Sequence, residues 1–467
     1  MNGAHALPLE TLPAPRAVPV VTPAGLTRVP MMLVFGYVVA TFVLFLAWPI
    51  NWPIYDAADW VRLIGYVSLC LMVLWWAAMM GSRGPTRVIA PLPWLTILLP
   101  AGAIAAALLL VPSCLAYTDR GPWDVMDALS DQGGAYRRFQ QVLAATTGQR
   151  NVMVILRALS APAVYAVLPL GILHWRRIGW IGRGSLGIVV ACSVIFSIMR
   201  GTDKEIADLF VIGSAAGFVA LGRSLVAGER AGDLARRYWM PVLLALVFLY
   251  VAQGLFTDRK EGRLGSYASR TAVCVNDSRI CADLDNPAIA WLPLRQRFGL
   301  TVFIVSTSSG YYGLDLAMEK PFEPAWGVGH SPAALSAYEA ATGDRTPHLG
   351  TYTWRNGGDH WPEENYWSTL ITWIANDVGF VGAVPVLALI GFLWGWWWRE
   401  AAAGMSDPAA VLFALATTMI FYLPANNQVL GSFDGYTTLA AWLVVWLVHR
   451  SRATLSALLP AVPGTAP

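Results

Sequence analysis

MLVFGYVVATFVLFLAWPI, residues 32–50, carries no charged side chain over nineteen positions. As a helix rising 1.5 Å per residue it spans about 30 Å, the thickness of a bilayer's hydrocarbon core. Nine further apolar stretches follow, near 61–80, 93–116, 153–174, 180–199, 205–226, 238–256, 369–397, 408–424 and 435–449. The last two are short and rest partly on the alternation of the loops. The expected fold class is therefore all-α: a polytopic helical membrane protein with about ten transmembrane helices.

The composition agrees. Hydrophobic residues make up 56% of the 467 and charged residues only 13%, against about 25% charged in soluble domains. The mean hydropathy is +0.52. So little charge cannot clothe a water-soluble globule, and lipid is the expected solvent. The 22 Trp suit the membrane–water interface. The net charge of +3 comes from residues scattered over loops, which excludes a basic stripe for nucleic acid.

Orientation follows from Lys and Arg in short loops. Arg83 and Arg87 follow the second stretch. Arg176, Arg177 and Arg183 follow the fourth, Arg223, Arg230, Arg236 and Arg237 the sixth, and Arg450 and Arg452 the last. These are alternate loops, so all fall on the cytoplasmic side. Asp56, Asp59, Asp119, Asp124, Asp127 and Asp131 lie in intervening loops. The expected organisation is a flexible cytoplasmic tail at 1–30, seven spans in 31–256, an extracytoplasmic loop at 257–367, three spans in 368–450 and a cytoplasmic tail at 451–467. Segment 121–150 reads as an amphipathic helix on the outer surface.

The outer loop is long and rich in Trp, Tyr and Phe, which argues for folded structure. Within it, Gly299–Met318 reads as a re-entrant or interfacial helix. Cys274 and Cys281 lie seven residues apart there. They read either as a local disulfide, if the loop is extracytoplasmic, or as two free thiols. Cys70, Cys114 and Cys192 sit in apolar stretches and read as small hydrophobes.

Charges at the membrane boundary come next. Arg200, Lys204, Glu205 and Asp208 open the sixth span. One reading is flanking charge that reaches back to water. The other is function, because ionisable groups inside spans are costly, and Arg200 and Lys204 offer cations to a phosphate. Arg157 lies inside the fourth span and needs a partner, either an acidic residue or a lipid phosphate. His330, His348 and His360 fall in the outer loop without zinc-motif spacing, so no metal is expected. A single histidine suits a base or a phosphate partner.

The run Trp354 to Trp367 combines aromatic rings with acids and amides, as sugar binding requires. Anchoring at the membrane interface fits the same residues. Asp377 is a carboxylate close to the outer face, fit for a general base or for pairing with an arginine. Asn426-Asn427-Gln428, with Pro424, Gly431 and Asp434, reads as a broken-helix turn facing a cavity.

Ser309-Gly310-Tyr311-Tyr312-Gly313-Leu314, then Pro321-Phe322 and Gly327-Val328-Gly329-His330-Ser331, resemble Wzy-like bacterial oligosaccharide repeat-unit polymerases. Trp367-Ser368, Trp373-Ile374-Ala375-Asn376-Asp377 and Gly201-Thr202-Asp203-Lys204 are similar to stretches of the same family. The resemblance covers about 196–440. It implies a GT-C-like membrane fold shared in plan with O-antigen ligases. The implied enzyme is a metal-independent glycosyltransferase without cofactors in the bacterial inner membrane. It would join O-antigen or exopolysaccharide repeat units carried on undecaprenyl diphosphate, at the outer face. Membrane lipid and a chain-length regulator are the implied partners.

That reaction asks for a base, from His330, Asp377, Asp359 or His360. It asks for cations on the leaving diphosphate, from Arg297, Arg355, Arg295, Arg200 or Lys204. Tyr311, Tyr312, Trp354, Trp361, Trp367 and Glu363 are the expected sugar contacts. Competing readings are an O-antigen-ligase-type or polyprenyl-phosphate-sugar-dependent transferase, a polysaccharide transporter or flippase without chemistry, and a structural or sensory membrane protein.

Overall fold

The computed structural model describes residues 20–21, 27–89, 92–145, 148–264, 272–275, 280–363 and 365–458. Most of the expected 1–30 tail, all of 459–467 and Glu364 lie outside the described residues. Membrane-type helices come first: α1 (Val29–Ala47), α2 (Ala57–Gly81) and α3 (Leu95–Thr118). Two short helices follow, α4 (Val125–Ser130) and α5 (Gln132–Ala144), where one amphipathic helix was expected. Then come α6 (Gly148–Leu173), α7 (Trp180–Arg200), α8 (Lys204–Val226) and α9 (Ala231–Leu264). The large loop holds α10 (Leu294–Ser308), α11 (Gly310–Met318), α12 (Pro332–Thr342), α13 (Thr346–Leu349) and α14 (Tyr352–Arg355). The chain closes with α15 (Leu370–Ala402), α16 (Asp407–Phe421) and α17 (Phe433–Leu458). Helix α17 continues through 451–458, where the sequence suggested a tail.

Seven of these, α1, α2, α3, α6, α7, α8 and α15, are long and apolar enough to cross a membrane among the described residues. The protein is thus an all-α, multi-pass membrane-type fold. Helices α9, α16 and α17 stand where the remaining three stretches were expected. Helix α16, at 15 residues, is shorter than the others. The two prolines in each of α3 and α6 do not end those helices, as is common where neighbouring helices and side chains re-satisfy freed backbone groups.

Bonds between distant elements sort into two layers. In one, Trp48 Nε1 donates to Thr301 at 3.0 Å, and Arg157 meets Asp434. A small antiparallel sheet lies in the same layer. There β2 (Ile50–Asn51) pairs with β5 (Ile280–Asp283), which pairs with β4 (Ala272–Val275). Cys274 and Cys281 face each other across β4 and β5 and are disulfide-bonded. In the other layer, Trp398 Nε1 donates to the Thr27 carbonyl, and Glu400 pairs with Arg450. Both ends of the described helical chain therefore meet in that second layer. Buried Asp407 ties it together: it meets His174 at 2.9 Å and Arg223 at 3.3 Å and accepts the Leu92 N–H. The remaining strands, β1 (Val20–Val21) and β3 (Thr86–Arg87), pair with each other.

The α10–α11 elbow occupies the expected re-entrant segment. Gly310 lets it approach the last loop, since a Cβ there would stand 2.3 Å from the Pro424 carbonyl oxygen. Tyr311, fully buried, reaches the Thr41 hydroxyl at 3.4 Å inside α1.

Helices α2 and α15 pack at the closest range. A Cβ on Gly391 would fall 2.3 Å from the Leu74 carbonyl oxygen, and one on Gly395 would fall 2.0 Å from that of Ala78. This is the small-xxx-small contact that lets membrane helices approach backbone to backbone. Gly395→Val should therefore overpack the pair, at a cost of about 1–3 kcal/mol. The expected readout is a lower thermal midpoint and less monodisperse protein by size exclusion. A wild-type midpoint would show that the helices separate freely.

Candidate functional site

The segment between α11 and α12 reads Pro321-Phe-Glu-Pro-Ala-Trp-Gly-Val-Gly-His330. Its two prolines and two glycines prevent helix. Trp326 (φ +53°) and Gly327 (φ +84°) adopt the left-handed region, which turns the following amides inward. They converge on Asp377. Its Oδ1 accepts the N–H groups of Gly327 at 2.9 Å and Gly329 at 2.8 Å, and Oδ2 accepts that of His330 at 2.8 Å. The His330 ring reaches Oδ2 through Nδ1 at 2.9 Å.

A carboxylate that already takes three N–H donors acts as an acceptor, so Nδ1 donates to it, and in the neutral imidazole the lone pair then lies on Nε2. The His330 side chain is 26% exposed. The arrangement suits proton abstraction from a hydroxyl.

Asp377 sits on the first part of α15, which is broken at Gly379 (φ +68°). Its neighbour Asn376 is fully buried and bridges the layer above. Asn376 Oδ1 accepts the Tyr352 N–H at 2.8 Å, and Nδ2 donates to the Gly329 carbonyl at 2.9 Å. From the last loop, Asn427 Nδ2 donates to the His330 carbonyl at 2.6 Å. Next to it, Gln428 Nε2 donates to both oxygens of Asp208 at 3.0 Å. Arg157 finds the acidic partner it needed in Asp434, at 2.8 Å.

Two cations flank the same segment. Arg355 donates to Glu323 at 2.9 Å and to the Pro321 carbonyl at 2.7 Å. Lys320 pairs with Asp359. In both pairs the cation is the less exposed member, 18% and 17% against 56% and 46% for the acids.

The other expected site residues are placed differently. Arg297 is spent on the carbonyls of Leu284, Leu292 and Ala290 and pins the chain ahead of α10. Arg295 pairs with Asp258 at an exposed position. Arg200 pairs with Glu205 and lies over the Phe139 ring, and Lys204 opens α8. Tyr311, Tyr312 and Trp361 are core: Tyr312 packs edge-on against Trp361, whose Nε1 donates to the Trp367 carbonyl. Trp354 lies between His348 and Arg345. Trp367 remains 42% exposed. His360 adopts a left-handed turn.

Three residues here had not been singled out: Lys320, Asn376 as a bridge, and Trp326. Trp326 is 81% exposed three residues before Gly329. The Trp-Gly pair leading into a glycine-spaced histidine was the available signal. Among the described residues no group of three or more His, Cys, Asp or Glu side chains is placed to hold a metal ion. No protein-family model, curated protein or solved structure matches the chain.

His348 belongs to the same large loop. Its Nε2 meets Glu363 Oε1 at 2.5 Å, and that bond holds the imidazole above its ordinary pKa against partial burial. A raised folded-state pKa gives stability that is complete below the unfolded value of about 6.5 and fades as pH rises through the higher folded value. Glu363→Gln should lower the thermal midpoint in mildly acidic buffer and change it little in alkaline buffer. Equal shifts at both would show that charge plays no part in the contact.

Proposed function

We propose that the chain is a membrane glycosyltransferase that polymerises oligosaccharide repeat units carried on undecaprenyl diphosphate. The observation that carries this reading is the His330–Asp377 pair, with Nδ1 held by the carboxylate and Nε2 left for a hydroxyl. On this reading Nε2 takes the proton of the acceptor sugar's hydroxyl. The oxygen then bonds to the anomeric carbon of the growing glycan. The bond from that carbon to the diphosphate breaks, and the diphosphate leaves on its lipid.

Charge develops on the leaving diphosphate and needs cations there. Arg355 and Lys320 suit this. Exposed ion pairs contribute only about 0.2–1 kcal/mol, so an incoming diphosphate can displace Glu323 and Asp359. Trp326 and Trp367 offer exposed faces to sugar rings. The resemblance to Wzy-like polymerases supports the substrate class.

The same reading crosses a bacterial plasma membrane ten times, with α9, α16 and α17 completing the set. Both termini are then cytoplasmic and the His330 layer is outside. The arginine-bearing alternate loops support this orientation, and a disulfide is at home in an oxidising compartment.

The test is substitution in a strain lacking the native gene, read by lipid-linked glycans and exported polymer. His330→Ala should reduce polymer by about 10²–10⁴-fold, the usual contribution of a general base, and leave single repeat units on the lipid. Asp377→Asn should act in the same direction, and Arg355→Ala should shorten chains. Long polymer accumulating on the lipid carrier in the deletion strain would instead identify a ligase or exporter. Unchanged glycans would overturn the reading.

A further inference from the structure

A second polar site adjoins the last loop, whose Asn427 bonds the His330 carbonyl and whose Gln428 bonds Asp208. Helices α3, α6, α7, α8 and α17 enclose a cavity of about 130 Å³. Much of its wall is aliphatic, with Leu110, Val164 and Leu168 among the lining residues. The charged residues of the lining are one cation, Arg157, and three carboxylates, Glu205, Asp208 and Asp434. Arg157 is taken by Asp434, and Glu205 by Arg200 and Thr202.

Asp208 stands differently. Both of its oxygens accept from a single neutral amide, that of Gln428. Lys204, one turn earlier on α8, and the Tyr422 hydroxyl are its nearest further influences. Among the described residues no ion pair involves Asp208. On the opposite wall, Ser113 is 3% exposed, and its hydroxyl has no hydrogen-bond partner among the described residues. Buried polar groups in a low-dielectric site ordinarily find partners, so a built cavity with both a carboxylate outside any ion pair and an orphan hydroxyl is suited to a ligand that completes them.

The sign of the lining disfavours a phosphate and favours a cation. Depth narrows the ligand further. Asp208 lies four residues from the end of α8 and Ser113 five residues from the end of α3, about 6–8 Å along the helix axes. The polar headgroup layer of a bilayer is about 5–8 Å thick on each side. The walls below are apolar, as an amphiphile requires.

We propose that this cavity binds the primary ammonium group of a membrane-lipid headgroup. Asp208 is the counter-ion, and the Ser113 hydroxyl accepts a second N–H. A quaternary ammonium has no N–H to offer these acceptors, so ethanolamine-type headgroups bind in preference to choline-type ones. The site does not depend on the glycosyltransferase reading.

Full-length protein purified in detergent is offered phosphatidylethanolamine, phosphatidylcholine or phosphatidylglycerol, and retained lipid is counted by native mass spectrometry. Phosphatidylethanolamine should be retained several-fold over phosphatidylcholine, with Asp208→Asn and Ser113→Ala each bringing the ratio toward one. Ser113→Ala removes a single oxygen and keeps the test open if Asp208→Asn fails to assemble. Soluble ethanolamine is the second arm. If it competes the lipid off at millimolar concentration, the ammonium group is the recognised part and a soluble amine is an admissible source. If it does not compete while the lipid preference holds, the source is lipid. Equal retention of all three lipids, or an undiminished preference in both variants, would overturn the proposal.

Discussion

Asp377 accepts three backbone N–H groups and the His330 ring, while Asn376 beside it bonds the Gly329 carbonyl and the Tyr352 N–H. These two adjacent side chains fasten the large loop to helix α15. They hold the middle of the 321–331 segment, whose prolines and left-handed residues rule out regular structure, while Arg355 on the Pro321 carbonyl and Asn427 on the His330 carbonyl hold its ends. The kink at Gly379 belongs to the same arrangement, because it sets the direction of the short helix that presents both side chains. Charge-assisted bonds from amides to a carboxylate are stronger than neutral ones, and a partly buried position strengthens them further. The histidine's tautomer thus follows from the way the loop is tied.

The last loop makes a comparable connection lower down. Asn427 bonds the backbone of His330, and Gln428 bonds Asp208 in the cavity between the helices. Six residues further on, Asp434 meets Arg157. A single turn therefore touches the outer pair and the inner polar cavity. Neutral amides suit that position, because each donates a bond without adding a charge that the surrounding apolar packing would have to compensate.

Much of the membrane architecture was legible because a span is a local property. Nineteen uncharged residues announce themselves without regard to their neighbours. The pairing of Arg157 was legible as a need but not as a partner, since Asp434 is far away in sequence. The aromatic residues misled most. Tyr311, Tyr312 and Trp361 stand in a run that also suits sugar binding, yet their polar tips find Thr41 and a backbone carbonyl, and their rings fill the core. Composition does not separate a ring that stacks on a ligand from one that stacks on a neighbour. Arg297 shows the same limit for cations. Only the fold reveals that three carbonyl oxygens surround its guanidinium. Asp377 was legible as a carboxylate in an apolar stretch, but its converging amides depend on backbone angles at Trp326 and Gly327 that no side-chain pattern announces.

The structure divides its charged groups by how firmly they are held. Asp377 is fixed by four donors and is costly to free. Lys320 and Arg355 are bound instead to acids that are themselves about half exposed, so exchange of one anion for another requires little reorganisation. Their own side chains are largely covered, Arg355 by the Tyr352 ring at 5.2 Å and the Pro321 carbonyl, so the cations stay in position when their partners leave. The site thus combines one rigidly held carboxylate with two cations whose partners exchange readily, and strengthening the Arg355–Glu323 pair would stabilise the loop at the expense of that exchange.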